Sequence, residues 1–479
     1  MFEWSKGHCR SQGGLMMKTK YDKLTSKYQK DLLKSLSEFV AINSVYDEST
    51  VCEKHPFGEG VSKALNYIAN LATKDGFEVT NYDNKVVEII YGRGKKNITI
   101  MAHADVVPAG EGWDQNPFQV VEKKGVLYGR GVSDDKGPLL AAYYALKALR
   151  DAGELGGYQI RFLVGGNEES GSLCMEHYFK TLKKPAPTYG FSPDSDFPLI
   201  FAEKGIIGFE IETYVDIPGL ISIEGGLASN AVIEKCVVKH DIDIKLLDLI
   251  MEKFSRKQVQ IFTVDDVSTF TFNGLSAHGS MPELGINAGM AALGVLAKHT
   301  KDPNLIRLNR ALEPLDGSGY NCAGKSKEMG HNSSNVGLIS YKDGVLKITV
   351  NFRYVDTCKE ADLIKQIKST FKPSKVTITG TSPLLYYPKD SVLISTLLKS
   401  YQDETGDLES APQAIGGGTY AKETKNVVAF GMQFPGWDSK MHAIGERTKK
   451  DDLFKAMSIY ARAIVDLGKK MLKEDEDKI

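Results

Sequence analysis

Apolar residues recur at intervals of three and four between Lys30 and Val40, at Leu32, Leu33, Leu36 and Val40, and again from Gly60 to Thr73. That spacing places them on one face of a 3.6-residue turn and predicts two amphipathic helices. The pattern then changes. Asn97-Ile98-Thr99-Ile100-Met101-Ala102 and the run from Gln159 to Val164 read as buried strands. Between them, Gly137 to Ala152 reads as a helix carrying Leu139, Leu140, Tyr143, Tyr144 and Leu146. Strands and helices in alternation favour an α/β sheet with covering helices.

From about Gly205 the runs alternate apolar and polar, as in Ile207-Gly208-Phe209-Glu210-Ile211 and Leu346-Lys347-Ile348-Thr349-Val350. Helices are expected near Asn287 to Lys298 and Glu360 to Phe371, so this stretch reads as a separate α+β domain. After about Ser391 come a helix, a turn at Gly416-Gly417-Gly418, a strand from Val427 to Gly431 and a long helix from Asp451 to Lys473. At 479 residues the chain exceeds the size at which one core keeps growing. The expected organisation is a discontinuous catalytic domain, 17–204 and 389–479, with 205–388 inserted as a second domain.

Composition narrows the function more than the fold. With 60 Lys and Arg against 61 Asp and Glu, there is no basic footprint for nucleic acid and no acidic tail, which leaves a small molecule as the expected partner. Cys9, Cys52, Cys174, Cys236, Cys322 and Cys358 stand singly, so they suggest neither a zinc knuckle nor a disulfide framework and fit a reducing cytoplasm. No apolar run approaches the roughly 20 residues that span a bilayer, and the first residues lack a signal peptide's apolar core. A soluble, unsecreted protein is expected. Met16 and Met17 precede a Lys-rich helical start, so translation could begin at either of them instead of Met1.

The chemistry sits where the strands end. His103-Ala-Asp105 follows one strand and Asn167-Glu168-Glu169 another, with Ser133-Asp134-Asp135-Lys136 and Ser192-Pro193-Asp194 elsewhere in the same half and His442 much later. In open α/β sheets ligands gather at the carboxyl ends of strands. Singly, each motif has a plain alternative: Asp134-Asp135 could cap the next helix, and Glu168-Glu169 could be a solvated helix start. Together they make a ligand set. A catalytic zinc takes three protein ligands and keeps a position for water, so two zincs sharing one carboxylate need five residues. His103, Asp134, Glu169, Asp194 and His442 supply that number if Asp134 bridges. Asp105, two residues after His103 on an extended segment, is expected to orient that imidazole, and Glu168 is left as the candidate general base.

The longer phrases His103-Ala-Asp105-Val-Val-Pro-Ala-Gly-Glu-Gly-Trp113 and Tyr128-Gly-Arg-Gly-Val-Ser-Asp134-Asp135-Lys-Gly-Pro138, with Asn167-Glu168-Glu169 and Ser192-Pro193-Asp194, resemble the M20 metallopeptidases. Within that family the resemblance is to the PepV-type dipeptidases, of the Xaa-His dipeptidase or carnosinase kind. It runs from about Pro56-Phe57-Gly58-Glu59-Gly60 to Met441-His442-Ala443. It implies a mixed-sheet zinc catalytic domain with an inserted α+β lid. It gives His103, Asp134 and Asp194 to one zinc and Asp134, Glu169 and His442 to the other, with Asp105 and Glu168 as the catalytic acids. By the same resemblance His278, in Ser276-Ala277-His278-Gly279-Ser280, stabilises an oxyanion with help from Asn230, and Arg353 holds the substrate's terminal carboxylate. The turn through Gly418 and Thr419 is expected to offer backbone N–H groups to the same substrate. Lys422 stands where an arginine is expected. His55, His177, His240, His299 and His331 lack companion ligands and read as structural.

The expected function is therefore hydrolysis of dipeptides with a free N-terminus by a metal-bridging hydroxide, with Glu168 as base and manganese or cobalt as well as zinc fitting the site. An N-acyl amino acid deacylase on the same two metals is the alternative enzyme. A lid able to deliver His278 within its own chain favours a monomer.

Overall fold

The computed structural model describes residues 18–476, so Met1, Met16, Met17 and Cys9 lie outside the described residues. Contacts divide the chain into two compact units. One holds the described residues up to Phe197, Thr396–Ser410 and those from Gly431 onward; the other holds Pro198–Ser395 and Ala411–Phe430. Relative to the expected boundaries, residues 198–204, 389–395 and 411–430 group with the second unit. Strand pairing explains part of that: Gln413–Ile415 runs parallel to Ile200–Glu203, and Ala429 pairs with Ile200.

In the first unit, helices α1 (Gln29–Val40) and α2 (Glu59–Lys74) bury the spaced apolar residues, among them Leu32, Leu36, Leu65 and Ile68. Five strands follow: β1 (Glu78–Tyr82), β2 (Val86–Tyr91), β3 (Asn97–His103), β4 (Gln159–Gly165) and β5 (Tyr189–Ser192), ordered β1-β2-β4-β3-β5. β3 runs parallel to β4 and β5, while β1-β2 and β2-β4 are antiparallel. Every residue of β3 is buried, as expected of a central parallel strand covered on both faces. Helix α3 (Lys136–Asp151), linking β3's side of the sheet to β4, buries Leu139, Leu140, Tyr143 and Leu146 and packs on the last helix, Lys450–Glu476. Each such side chain contributes about 1.5–3 kcal/mol by leaving water.

The second unit is built on an eight-stranded sheet. Its strands are β6 (Gly205–Tyr214), β7 (Leu220–Gly225), β8 (Lys235–Asp241), β9 (Val259–Val264), β10 (Val267–Asn273), β11 (Ser333–Lys342), β12 (Val345–Tyr354) and β13 (Lys375–Ser382). The order is β9-β10-β8-β7-β11-β12-β6-β13, antiparallel throughout. Buried and less buried residues alternate along β6, the signature of a sheet with one face on a core. Helices α4 (Ala288–Thr300) and α5 (Pro303–Leu312) supply Leu293, Leu296, Leu305 and Leu308 to that core. The Asn287 side chain caps α4 by accepting from the Met290 N–H at 3.0 Å. The fold is thus the expected two-part α/β and α+β arrangement. The strand expected from Val427 to Gly431 stops at Ala429, and Gly431 adopts a left-handed φ of 78°. Among the described residues, no helix is long and apolar enough to cross a membrane.

Candidate metal centre

Three neighbouring parallel strands end at one place. His103 closes β3 and sits opposite Gly165 at the end of β4; Glu168 and Glu169 follow β4, and Asp194 follows β5. Asp134 lies just before α3, and His442 comes from a loop, with a φ of 60° that residues other than glycine rarely adopt.

Asp134 stands between two imidazoles. Its Oδ1 is 3.0 Å from His103 Nε2 and its Oδ2 is 2.7 Å from His442 Nε2. His103 Nε2 also lies 3.6 Å from Asp194 Oδ2, and His442 Nε2 lies 3.3 Å from Glu169 Oε2. Two groups of three donors result, His103–Asp134–Asp194 and Asp134–Glu169–His442, with the donor atoms of each within 4.8 Å of one another. Asp134 belongs to both.

The electrostatics suit cations. Burial, followed by the charge of Asp134, pushes Asp194 up to about 7 and also raises Glu169. Burial, followed by Asp194, raises Glu168 well above the usual carboxylate range. Burial disfavours a charged His103, yet its bonds with Asp105 and Asp134 outweigh that and raise it. For Asp134 burial is likewise outweighed, here by the two imidazoles, which hold its carboxyl low. Protons thus stand in for positive charge among four crowded carboxylates. One further atom points to an ion: Glu169 Oε1 is buried with no hydrogen-bond partner among the described residues, which is costly unless something binds it. Two imidazoles and three carboxylates are a donor set that fits zinc, manganese or cobalt.

The groups behind these donors are built as closely. His103 Nδ1 is 3.0 Å from the backbone O of Asp105 and 3.4 Å from its Oδ1. A carbonyl can only accept, so Nδ1 carries a proton, which leaves Nε2, the nitrogen facing Asp134 and Asp194, as the one that would bind a metal after giving up its own proton. The Asp105 carboxylate accepts the N–H of Glu168 and of Glu169, each at 3.1 Å. Asp135 does not cap α3 with its side chain; its Oδ2 accepts the His103 N–H at 3.0 Å.

Sequence reasoning missed Glu446. Its buried carboxylate accepts from the N–H groups of Gly131, Ser133 and Asp134 at 2.8–3.1 Å and from Arg130 Nη1 at 2.7 Å. It therefore shapes the loop that presents Asp134. The only local signal is a glutamate four residues after His442, too common to single out.

The remaining expected residues lie in the second unit. Arg353, on β12, is buried; its Nε donates to Asn351 Oδ1 at 2.8 Å and its Nη1 to the Gly416 carbonyl. His278 is exposed, with Nδ1 2.6 Å from Ser280 Oγ, and Ser280 packs against Gly416, where an added Cβ would come within 2.5 Å of the serine Cβ. Asn230 is exposed, and its carbonyl accepts the Gly279 N–H at 2.7 Å. Gly418 borders Lys422. The expectation for Thr419 needs correction. Its N–H and hydroxyl donate to the buried Glu203 carboxylate at 3.0 and 2.9 Å, so its amide is engaged within the protein and unavailable to a ligand. His177 and His299 bind Asp83 and Asp243 at 2.8 and 2.9 Å, and neither joins a group of three donors among the described residues.

The profile of peptidase family M20/M25/M40 matches residues 99–466. A protein of Bacillus subtilis named "Putative dipeptidase YtjP" is 34% identical over 469 residues, covering 92% of this chain and 98% of its own length. A Staphylococcus epidermidis protein with the same descriptor is 34% identical over 458 residues, covering 91% and 97%. The solved structure of the di-peptidase Dug1p from Saccharomyces cerevisiae superposes with a TM-score of 0.58 at 16% identity over 94% of this chain and 98% of that one, a likeness of fold. This chain is a member of peptidase family M20/M25/M40, an enzyme of the metallopeptidase type.

Proposed function

We propose that this enzyme is a dipeptidase that binds two zinc ions and cleaves two-residue peptides with a free amino terminus. The observation that carries the reading is the Asp134 carboxylate facing an imidazole on each of its oxygens, with Asp194 and Glu169 completing the two donor groups. His103, Asp134 and Asp194 would hold one ion, and Asp134, Glu169 and His442 the other. Bound there, such a pair supplies Lewis acidity toward the peptide carbonyl and lowers the pKa of water toward neutrality.

The proton work falls to Glu168. Acting as a carboxylate, it would take the proton of the attacking water, an affinity that burial and Asp194 strengthen, and as the resulting acid return that proton to the nitrogen of the leaving residue. Asp105 fixes the Glu168 and Glu169 backbone while its carbonyl orients His103. We assign the oxyanion to His278 and Asn230, the substrate's carboxylate to Arg353, and a close backbone approach to Gly418. The assignment as a dipeptidase is supported by relatives of that name at 34% identity over nearly the whole chain.

A hydrolysis panel tests this: unblocked dipeptides including β-alanyl-histidine, tripeptides and N-acetylated controls, with and without chelator. Cleavage confined to unblocked dipeptides and abolished by chelator is expected. Cleavage of the N-acetylated compounds instead would contradict it.

A further inference from the structure

Asn230 and His278 sit on two short segments of the second unit that are paired with each other. The Gly279 N–H donates to the Asn230 carbonyl at 2.7 Å and the Val232 N–H to the Ala277 carbonyl at 2.9 Å, so that Ala231 stands opposite His278 in an antiparallel bridge. The base of the His278 loop closes separately, through the reciprocal backbone bonds of Leu275 and Ile286 at 2.9 Å. Asn230 and His278 are both exposed, so core packing does little to fix them.

The paired segments are tied to the sheet by Asn335, a buried residue of β11. Its Nδ2 donates to the Ser229 carbonyl at 3.2 Å and to the Ala231 carbonyl at 2.9 Å, the two carbonyls that flank Asn230. Carbonyls only accept, so both hydrogens of the amide are committed and its orientation follows. The approach is close. An added Cβ on Gly337, two residues along β11, would come within 2.2 Å of the Ser229 carbonyl oxygen, and β11 shifts register against β12 at that glycine. The cost falls on the other side of the amide, where Oδ1 is buried with no hydrogen-bond partner among the described residues. A side chain kept for stability alone would satisfy both ends of a buried amide or be apolar. Here one end goes unsatisfied while the other spends both donors on the Asn230 segment.

We propose that Asn335 is a positioning residue: by clamping the carbonyls on either side of Asn230 it sets where Asn230, and through the backbone pairing His278, stand relative to the developing oxyanion. The proposal rests on the reading above that these two residues stabilise that oxyanion. A donor aimed at developing charge loses most of its effect when it is displaced by about 1 Å. The register also pairs Asn335 with Asn351, whose Oδ1 accepts from Arg353 Nε at 2.8 Å, so a disturbance spreading the other way would reach Arg353. The two routes differ in their kinetics. A misplaced oxyanion donor lowers kcat, whereas weakened substrate binding raises KM.

The test compares kcat and KM for one unblocked dipeptide, with zinc bound, in the wild-type enzyme and in Asn335→Leu, an apolar side chain of similar size, each with and without His278→Ala. In Asn335→Leu alone kcat should fall about 10–100-fold, with KM nearly unchanged and zinc content equal to that of the wild type. In the His278→Ala background the same change should cost clearly less, because part of what Asn335 places is already gone. Equal fold-losses in the two backgrounds, a loss confined to KM, or a kcat equal to the wild type overturns the proposal. Should Asn335→Leu not fold, Asn335→Ser, which keeps one donor, takes its place, with a smaller loss in kcat and the same dependence on His278. If neither folds, Asn335 is a structural residue and the proposal falls. Failure of the underlying reading looks different. A wild-type enzyme that cleaves no dipeptide ends the dipeptidase assignment, and a His278→Ala enzyme as fast as the wild type ends the oxyanion assignment, and this proposal with it.

Discussion

The Asp105 carbonyl oxygen lies 3.0 Å from His103 Nδ1, closer than the Asp105 carboxylate, whose oxygens are spent on the N–H groups of Glu168 and Glu169. The residue therefore does two tasks with two groups: main chain orients the imidazole, and side chain aligns the next two acids. Asp105→Asn keeps the first and impairs the second, since an amide has a single acceptor oxygen. Zinc affinity, measured by competition with a chelating dye, should fall about 10–100-fold. Unchanged affinity would remove Asp105 from the metal centre's support.

Glu446 neutralises Arg130 in a fully buried pair, and Arg130 also lies over the Trp113 ring. Removing one partner leaves the other charge buried and uncompensated. Glu446→Ala should cost about 3–5 kcal/mol in denaturant unfolding. The double variant Glu446→Ala with Arg130→Met should recover part of that loss, which distinguishes an orphaned charge from a simple cavity.

Burial pushes Glu203 up to about 7, against the pull of Lys422 and the bonds from Thr419. The sign follows from proton binding. Between the unfolded value of 4.5 and about 7 the folded chain holds a proton that the unfolded chain has released, so this group's contribution to stability falls as pH rises through that window. Glu203→Gln abolishes the titration. Its stability relative to the wild type should therefore improve between pH 5 and pH 8, by up to about 3 kcal/mol. A difference independent of pH would refute the shifted ionisation.

The two acids with contrasting roles separate in metal analysis. Glu168→Ala should abolish turnover yet retain close to two ions per chain. Asp134→Ala should lose metal outright, because both donor groups include it. Full occupancy in Asp134→Ala would mean that no bridge exists there.

Much of this centre is legible in sequence because the determinants are local. β3 is an uninterrupted buried run, so its end at His103 could be read directly, as could the end of β4 before Glu168 and Glu169. The helices at Gln29–Val40, Lys136–Asp151 and Lys450–Glu476 follow their apolar spacing to within a few residues. What escaped depends on partners distant in sequence. Glu446 acquires its role from amides more than 300 positions away, and Thr419 loses its amide to Glu203 through a contact 216 residues long. The grouping of 411–430 with the second unit rests on a three-residue strand, Gln413–Ile415, too short to carry a period.

The most direct measurement is turnover of an unblocked dipeptide by protein stripped of metal and titrated with zinc. Activity should be absent in the stripped protein and return as zinc is added, levelling at two ions per chain, while Asp134→Ala stays inactive throughout. Metal-free protein that cleaves the dipeptide at the full rate would contradict a hydrolytic centre built on these five side chains.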